Sequence, residues 1–139
     1  MPELMFQSPF TQHLGIQITE WQENQVKLKV KLKDIFLNSH GVPHGGFLCS
    51  LLDVATALSG TYCTNPNNIR KALTLSLNTN FMAQASSDEL FASGVVIKSG
   101  YKIYYSSAEI TDSNQQLIAT AQAVLKYTKG SEGPEGLAR

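Results

Sequence analysis

One apolar helical run, from Gly45 to about Ser59, stands among segments that alternate like strands, so the chain must arrange several strands around a single long helix. At about 100° per residue, Phe47, Leu48, Leu51, Leu52, Val54, Ala55 and Leu58 share one wide arc. The opposite side holds Gly46, Cys49, Ser50, Asp53, Thr56 and Ala57, small residues around one carboxylate where a solvated helix would show lysines and glutamates. Small side chains let another chain or a ligand come close. This face is therefore read as one approached by something specific.

The start of the helix is as unusual as its open face. His44-Gly45-Gly46 stands where a Ser, Thr, Asp or Asn cap followed by good helix formers is normally preferred, and each glycine inside a helix costs about 1 kcal/mol relative to alanine. Without Cβ atoms at Gly45 and Gly46, a ligand can reach the free N–H groups of the first turn, where the helix dipole favours negative charge. The place suits a developing oxyanion.

The remaining segments read as a short opening helix and a set of strands. Ser8 caps and Pro9 opens a helical segment that Gly15 ends. Ile16 and Ile18 alternate with polar residues up to Trp21, Gln22-Glu23-Asn24 make a turn, and Val26, Leu28, Val30 and Leu32 alternate with Lys27, Lys29, Lys31 and Lys33. Those lysines are expected to form a solvated sheet face that resists aggregation. Asp34 to Pro43 reads as a loop. Ala72 to Met82, Leu90 to Lys98, Tyr101 to Thr111 and Leu117 to Tyr127 complete the strands, which short connections would join as an antiparallel meander. Residues 1–128 are expected to form one α+β domain, a curved antiparallel sheet wrapped around the central helix. Residues 129–139, with Gly130, Gly133, Pro134 and Gly136, are expected to be a disordered tail.

Composition narrows the partners. The chain has 139 residues, with 11 basic and 11 acidic side chains, so there is no general attraction for nucleic acid or an anionic membrane. Cys49 and Cys63 make no disulfide framework, MPELMFQSPFTQ lacks the features of a secretory signal, and no apolar stretch approaches the roughly 20 residues needed to span a bilayer. A cytoplasmic protein is expected. A sheet of this kind leaves its edges unpaired and a chain this short hardly encloses a substrate alone, so a homodimer with sites between subunits is expected.

Asn38-Ser39-His40-Gly41-Val42-Pro43-His44-Gly45-Gly46, continuing to Leu52-Asp53, resembles the hotdog-fold thioesterases, in particular the phenylacetate-pathway type and its medium- and long-chain acyl-CoA relatives. Ser93-Gly94 before Val95 and Val96, Lys98-Ser99-Gly100, and the closing strand agree with the same pattern, so the resemblance covers about residues 8 to 127. It implies an acyl-CoA thioesterase that needs no cofactor or metal, because coenzyme A is part of the substrate. By the same resemblance Asp53 is the general base on water, or the nucleophile, and the Gly45 N–H polarises the thioester carbonyl. Asn38 orients the water or the base, His44 helps hold the thioester, and Thr74 assists the water. The resemblance further implies dimers, often paired into tetramers, in which Asp53 faces His44 and Gly45 of the partner subunit. Many relatives carry an arginine after the glycine of the Lys-x-Gly turn, for the nucleotide end of coenzyme A. Here Gly100 is followed by Tyr101 and Lys102, which makes Lys102 the candidate phosphate contact beside Lys98, Ser99 and Gly100.

The bare residues agree in part. A carboxylate among small, mostly apolar neighbours is partly withdrawn from water, and the helix start supplies an amide for a tetrahedral oxyanion. Phe47, Leu48, Phe81 and Met82 suggest an apolar substrate pocket that suits aryl-acetyl and aliphatic chains alike, and Gly46 is expected to contact the substrate beside it. His40 and His44 have the spacing of a metal pair on a helix, but Gly41 and Pro43 between them deny that helix, and no metal is expected. Asn38 also fits a plain Asx turn. The rival readings are a hotdog dehydratase acting on hydroxyacyl thioesters and a non-catalytic acyl-CoA-binding protein of the same fold.

Overall fold

The computed structural model describes residues 8–138. Helix α1 (Pro9–Leu14) is capped by Ser8, whose hydroxyl accepts from the Thr11 N–H while Thr11 reaches back to the Ser8 N–H, and Gly15 ends it at φ 77°. Strands β1 (Gln17–Gln22) and β2 (Gln25–Lys31) form the expected hairpin, turned at Asn24 with φ 66°. Val26, Leu28 and Val30 are buried, whereas Lys27, Lys31 and Lys33 are exposed and Lys29 partly so. The segment read as a loop from Asp34 contains one 3-10 turn, Asp34–Phe36.

Helix α2 (Gly45–Ser59) follows, then β3 (Asn68–Ile69), β4 (Ala72–Phe81), β5 (Glu89–Ser99), β6 (Ile103–Asp112), β7 (Leu117–Tyr127) and β8 (Leu137–Ala138). Six strands make one antiparallel sheet in the order β1-β2-β5-β6-β7-β4. This corrects the simple meander. Only β5-β6-β7 runs as one, because α2 carries the chain across the concave side and delivers β4 beyond β7, leaving β5 to pair with β2.

The sheet wraps α2, and the core lies between them: Leu51, Leu52 and Ala55 meet Val26, Leu28, Leu90, Ala92, Ile110, Ile118 and Ala119. Gly94 on β5 is what allows so close an approach, since a Cβ there would fall within the Ala55 carbonyl. Thr56 and Ser59 are buried as well, so the open face of α2 is narrower than its wheel implies. They remain satisfied: Thr56 Oγ1 donates to the Asp53 carbonyl at 3.0 Å, and Ser59 Oγ to the Thr56 carbonyl at 2.7 Å.

The C-terminal end of α2 is held by three aromatic donors. Tyr104 Oη donates to the Ala57 carbonyl at 2.7 Å, Trp21 Nε1 to Leu58 at 2.8 Å, and Tyr127 Oη to Gly60 at 2.7 Å. Helix ends leave their last carbonyls without intrahelical partners, and these side chains serve three of them.

Residues 129–138 are not the free tail that their Gly- and Pro-rich composition implies. They fold back so that Leu137–Ala138 pair with Asn68–Ile69, and the Thr64 N–H and hydroxyl both donate to the Pro134 carbonyl. Arg70 donates from Nε to the Ser131 carbonyl and from a terminal nitrogen to Glu132, each at 2.8 Å. Backbone carbonyls captured by one guanidinium fork supply the order that apolar side chains do not. Among the described residues, no helix is long and apolar enough to cross a membrane.

Candidate active site

Asp53 lies on the open side of α2, half-buried, and β4 brings Thr74 to it. Thr74 Oγ1 donates to Asp53 Oδ1 at 2.7 Å, a charge-assisted bond that fixes the carboxylate's rotation. No donor to Oδ2 is present among the described residues, so one carboxylate oxygen is held and the other is open to an incoming proton. Cys49, one turn earlier, contacts Thr79 Oγ1 through sulfur at 3.6 Å and packs against β4.

The helix start is built around His44. Its own N–H donates to the Phe36 carbonyl at 2.7 Å, and its Nδ1 accepts from the Gly46 N–H at 2.8 Å. His44 thus caps the helix with its imidazole, which places the proton of the neutral ring on Nε2 and leaves that nitrogen a donor. Gly46 leaves room for this bond, since a Cβ there would stand 3.0 Å from Nδ1 and the imidazole would have to give way. The Gly45 N–H is left without an acceptor among the described residues. Beside it stands Phe81, whose ring would be 3.4 Å from a Cβ on Gly45.

Asn38 organises the loop that leads into this start. Its Oδ1 accepts from the His40 N–H at 2.9 Å and the Val42 N–H at 3.3 Å, and its backbone pairs with Val42 and Gly41. The Asx turn is therefore formed, with the amide nitrogen of the side chain still free to donate.

Asp53 and Gly45 do not meet within one protomer. Eight residues of helix separate them by about 12 Å at 1.5 Å per residue, too far to share one small ligand. Strand β4 meanwhile presents an unpaired edge with Leu73, Leu75 and Phe81 exposed.

Of the residues expected to line a pocket, Phe81 and Met82 are more than half exposed at the end of β4. Phe47 and Leu48 are buried, and Phe47 is stacked on Phe36 with ring centroids 4.3 Å apart. The helical arc that marks them as apolar does not distinguish core from ligand lining. Lys98, Gly100 and Lys102 gather with Ile97, Tyr101 and Tyr105 around a surface cavity of about 680 Å³ at the β5–β6 hairpin, while Ser99 is exposed next to them.

Sequence reasoning missed the aromatic donors behind Asp53. Tyr104 is pushed far above the ordinary tyrosine value by burial, with the Tyr127 hydroxyl and Asp53 adding to the shift and Arg70 opposing it. It therefore stays protonated and donates. Tyr127 shifts the same way through burial.

Comparison with known proteins agrees with this architecture. Residues 40–119 match the model of the thioesterase superfamily. The medium/long-chain acyl-CoA thioesterase YigI of Escherichia coli K12 is 23% identical over 132 residues, covering 86% of this chain and 85% of its own. Among solved structures, the PaaI protein of the E. coli phenylacetic acid degradation operon superposes with a TM-score of 0.79 at 22% identity, covering 95% of this chain and 88% of PaaI. Conserved protein PA5202 of Pseudomonas aeruginosa gives 0.81 at 21%, covering 92% and 100%. The sheet order, the single enclosed helix and the match across its first turn point the same way: the chain is a hotdog-fold enzyme of the thioesterase superfamily.

Proposed function

We propose that the protein hydrolyses acyl-CoA thioesters, with Asp53 as general base on water and the Gly45 N–H of the partner subunit holding the oxyanion. The observation that carries this reading is the half-held carboxylate: Thr74 fixes Asp53 Oδ1 while Oδ2 stays open. Oδ2 takes a proton from water as the water oxygen bonds to the thioester carbon. Charge then builds on the carbonyl oxygen, where a helix-start amide stabilises it, and losing one such donor typically costs about 2.7–4 kcal/mol of barrier. Collapse breaks the carbon–sulfur bond, and the thiolate leaves with the proton that Asp53 took.

The reading requires a dimer, since about 12 Å of helix separates Asp53 from its own Gly45. The exposed apolar edge of β4 is the surface that would pair with a second copy, and a further pairing of dimers follows the family pattern. His44, with its free Nε2–H, would position the thioester, the Asn38 amide the water, and Phe81 and Met82 the acyl chain. The nucleotide end of coenzyme A would lie against Lys98, Ser99, Gly100 and Lys102. Coenzyme A belongs to the substrate, so the reaction calls for no separate cofactor. A cytosolic setting fits two cysteines that form no disulfide.

Release of free thiol from a panel of acyl-CoAs, compared between wild type and Asp53→Ala, tests the reading. Turnover lost with fold and oligomer retained supports it. Acyl-CoA binding without turnover in the wild type would assign a carrier role, and hydration of an enoyl-CoA a dehydratase.

A further inference from the structure

The Thr74–Asp53 pair is assembled from two segments, and one residue outside the site ties both to the rest of the molecule. Arg70 stands four residues before Thr74, at the approach to β4. Its guanidinium donates to the carbonyls of Ser131 and Glu132, and the adjoining Lys71 N–H donates to the buried Ser131 hydroxyl at 3.0 Å. Lys71 is fixed from the other side as well, its carbonyl accepting from the Thr128 N–H at 3.0 Å. The entry to β4 is thereby fastened to the C-terminal segment.

The same guanidinium reaches the helix. It lies 4.0 Å over the Tyr127 ring, Tyr127 lies 4.7 Å from Tyr104 between centroids, and their hydroxyls donate to Gly60 and Ala57. Ala57 is one turn beyond Asp53, so these donors tie the turn of α2 that follows Asp53 to β6 and β7. Both halves of the pair thus depend on Arg70: Thr74 through the strand entry, and Asp53 through the stacked tyrosines.

We infer that Arg70 is a positioning residue for hydrolysis, holding Thr74 and Asp53 in hydrogen-bond register by bridging the C-terminal segment, the start of β4 and the tyrosine pair under the helix end. The inference rests on Asp53 and Thr74 acting as proposed above. A planar fork that serves two carbonyls while stacking on a ring is beyond a lysine ammonium, so Arg70→Lys keeps the charge and removes the geometry.

Steady-state kinetics on the full chain with an acyl-CoA substrate test this, reading kcat and KM separately, with Asp53→Asn in parallel and a thermal melt on each variant. Arg70→Lys is expected to lower kcat about tenfold or more with KM within about twofold, since misplacing a reacting group by a fraction of an ångström costs on that scale. Tyr127→Phe keeps the ring under the guanidinium but drops the bond to Gly60, and it is expected to move kcat the same way by less. Should Arg70→Lys fail to fold, Tyr127→Phe decides by the same separation of constants. If Asp53→Asn abolishes turnover while both other variants retain wild-type kcat, or lose activity only in proportion to unfolded protein, this inference falls and the functional reading stands. If Asp53→Asn retains turnover, the functional reading itself falls and takes this one with it.

Discussion

The Thr74 hydroxyl donates to Asp53 Oδ1 at 2.7 Å, from a residue on the far edge strand to one in the middle of the central helix. A hydrogen bond to a charged group contributes about 1.5–3 kcal/mol, so removing it in Thr74→Val should lower kcat roughly tenfold to a hundredfold. Thr74→Ser, which keeps the hydroxyl, should stay near wild type. Thiol release at saturating acyl-CoA separates the two.

Gly45→Ala should divide stability from activity. A methyl at Gly45 meets only the Phe81 ring, at an ordinary 3.4 Å, and alanine is the better helix former by up to about 1 kcal/mol. The variant should melt no lower than wild type. Its kcat/KM should nevertheless fall more than roughly tenfold, because on the proposed mechanism the methyl stands where the thioester would approach the amide.

Gly94→Ala is expected to be the most damaging small substitution. Its Cβ would fall on the Ala55 carbonyl, a backbone atom of the buried helix that has nowhere to go. Overpacking of this kind costs about 1–3 kcal/mol or more. A denaturant titration should show the lower midpoint.

Asp112 should make the fold acid-sensitive. Burial pushes its carboxyl up, but the donors around it outweigh this: the N–H groups of Ser86, Gln116 and Asn114, and the Ser86 hydroxyl, hold it below the ordinary aspartate value. A group lowered on folding adds stability in full above its unfolded value of about 3.9, and that stability is lost as pH falls through the folded value. Asp112→Asn should be less stable than wild type at neutral pH, with the gap closing in acid when melts are run across pH.

Leu75 has no partner in the β4–β7 register and is exposed on the free edge. Leu75→Asp should weaken self-association by sedimentation, and activity should fall in step with the loss of dimer.

Much of this was legible from residue order, for identifiable reasons. The bounds of α2 follow from an apolar arc and two glycines, and the hairpin from strict alternation against lysines. The place of β4 beyond β7 was not, since period-two patterning reports which face is buried and not which strand lies next. Nor was the stacking of Phe47 on Phe36, since an apolar arc does not say which neighbour a side chain meets. The ordered segment 129–138 was hidden by its composition, because its hold comes from main-chain carbonyls taken by Arg70 and Thr64, which leave no hydropathy trace. In the site, His44 and Gly46 stand two apart in a recognisable motif, whereas the tyrosines behind Asp53 come from strands some fifty and seventy positions later.

The seating of the helix on Gly94 limits how this enzyme can be adapted. With main chain resting on main chain, α2 has no room to roll or slide toward the sheet, so a chamber for a longer or bulkier acyl group cannot be opened by moving it. On the proposed function, diversification is confined to side chains that would border the acyl chain from outside, Phe81 and Met82 foremost. A designer seeking altered chain-length preference would begin at those two positions and leave the helix untouched.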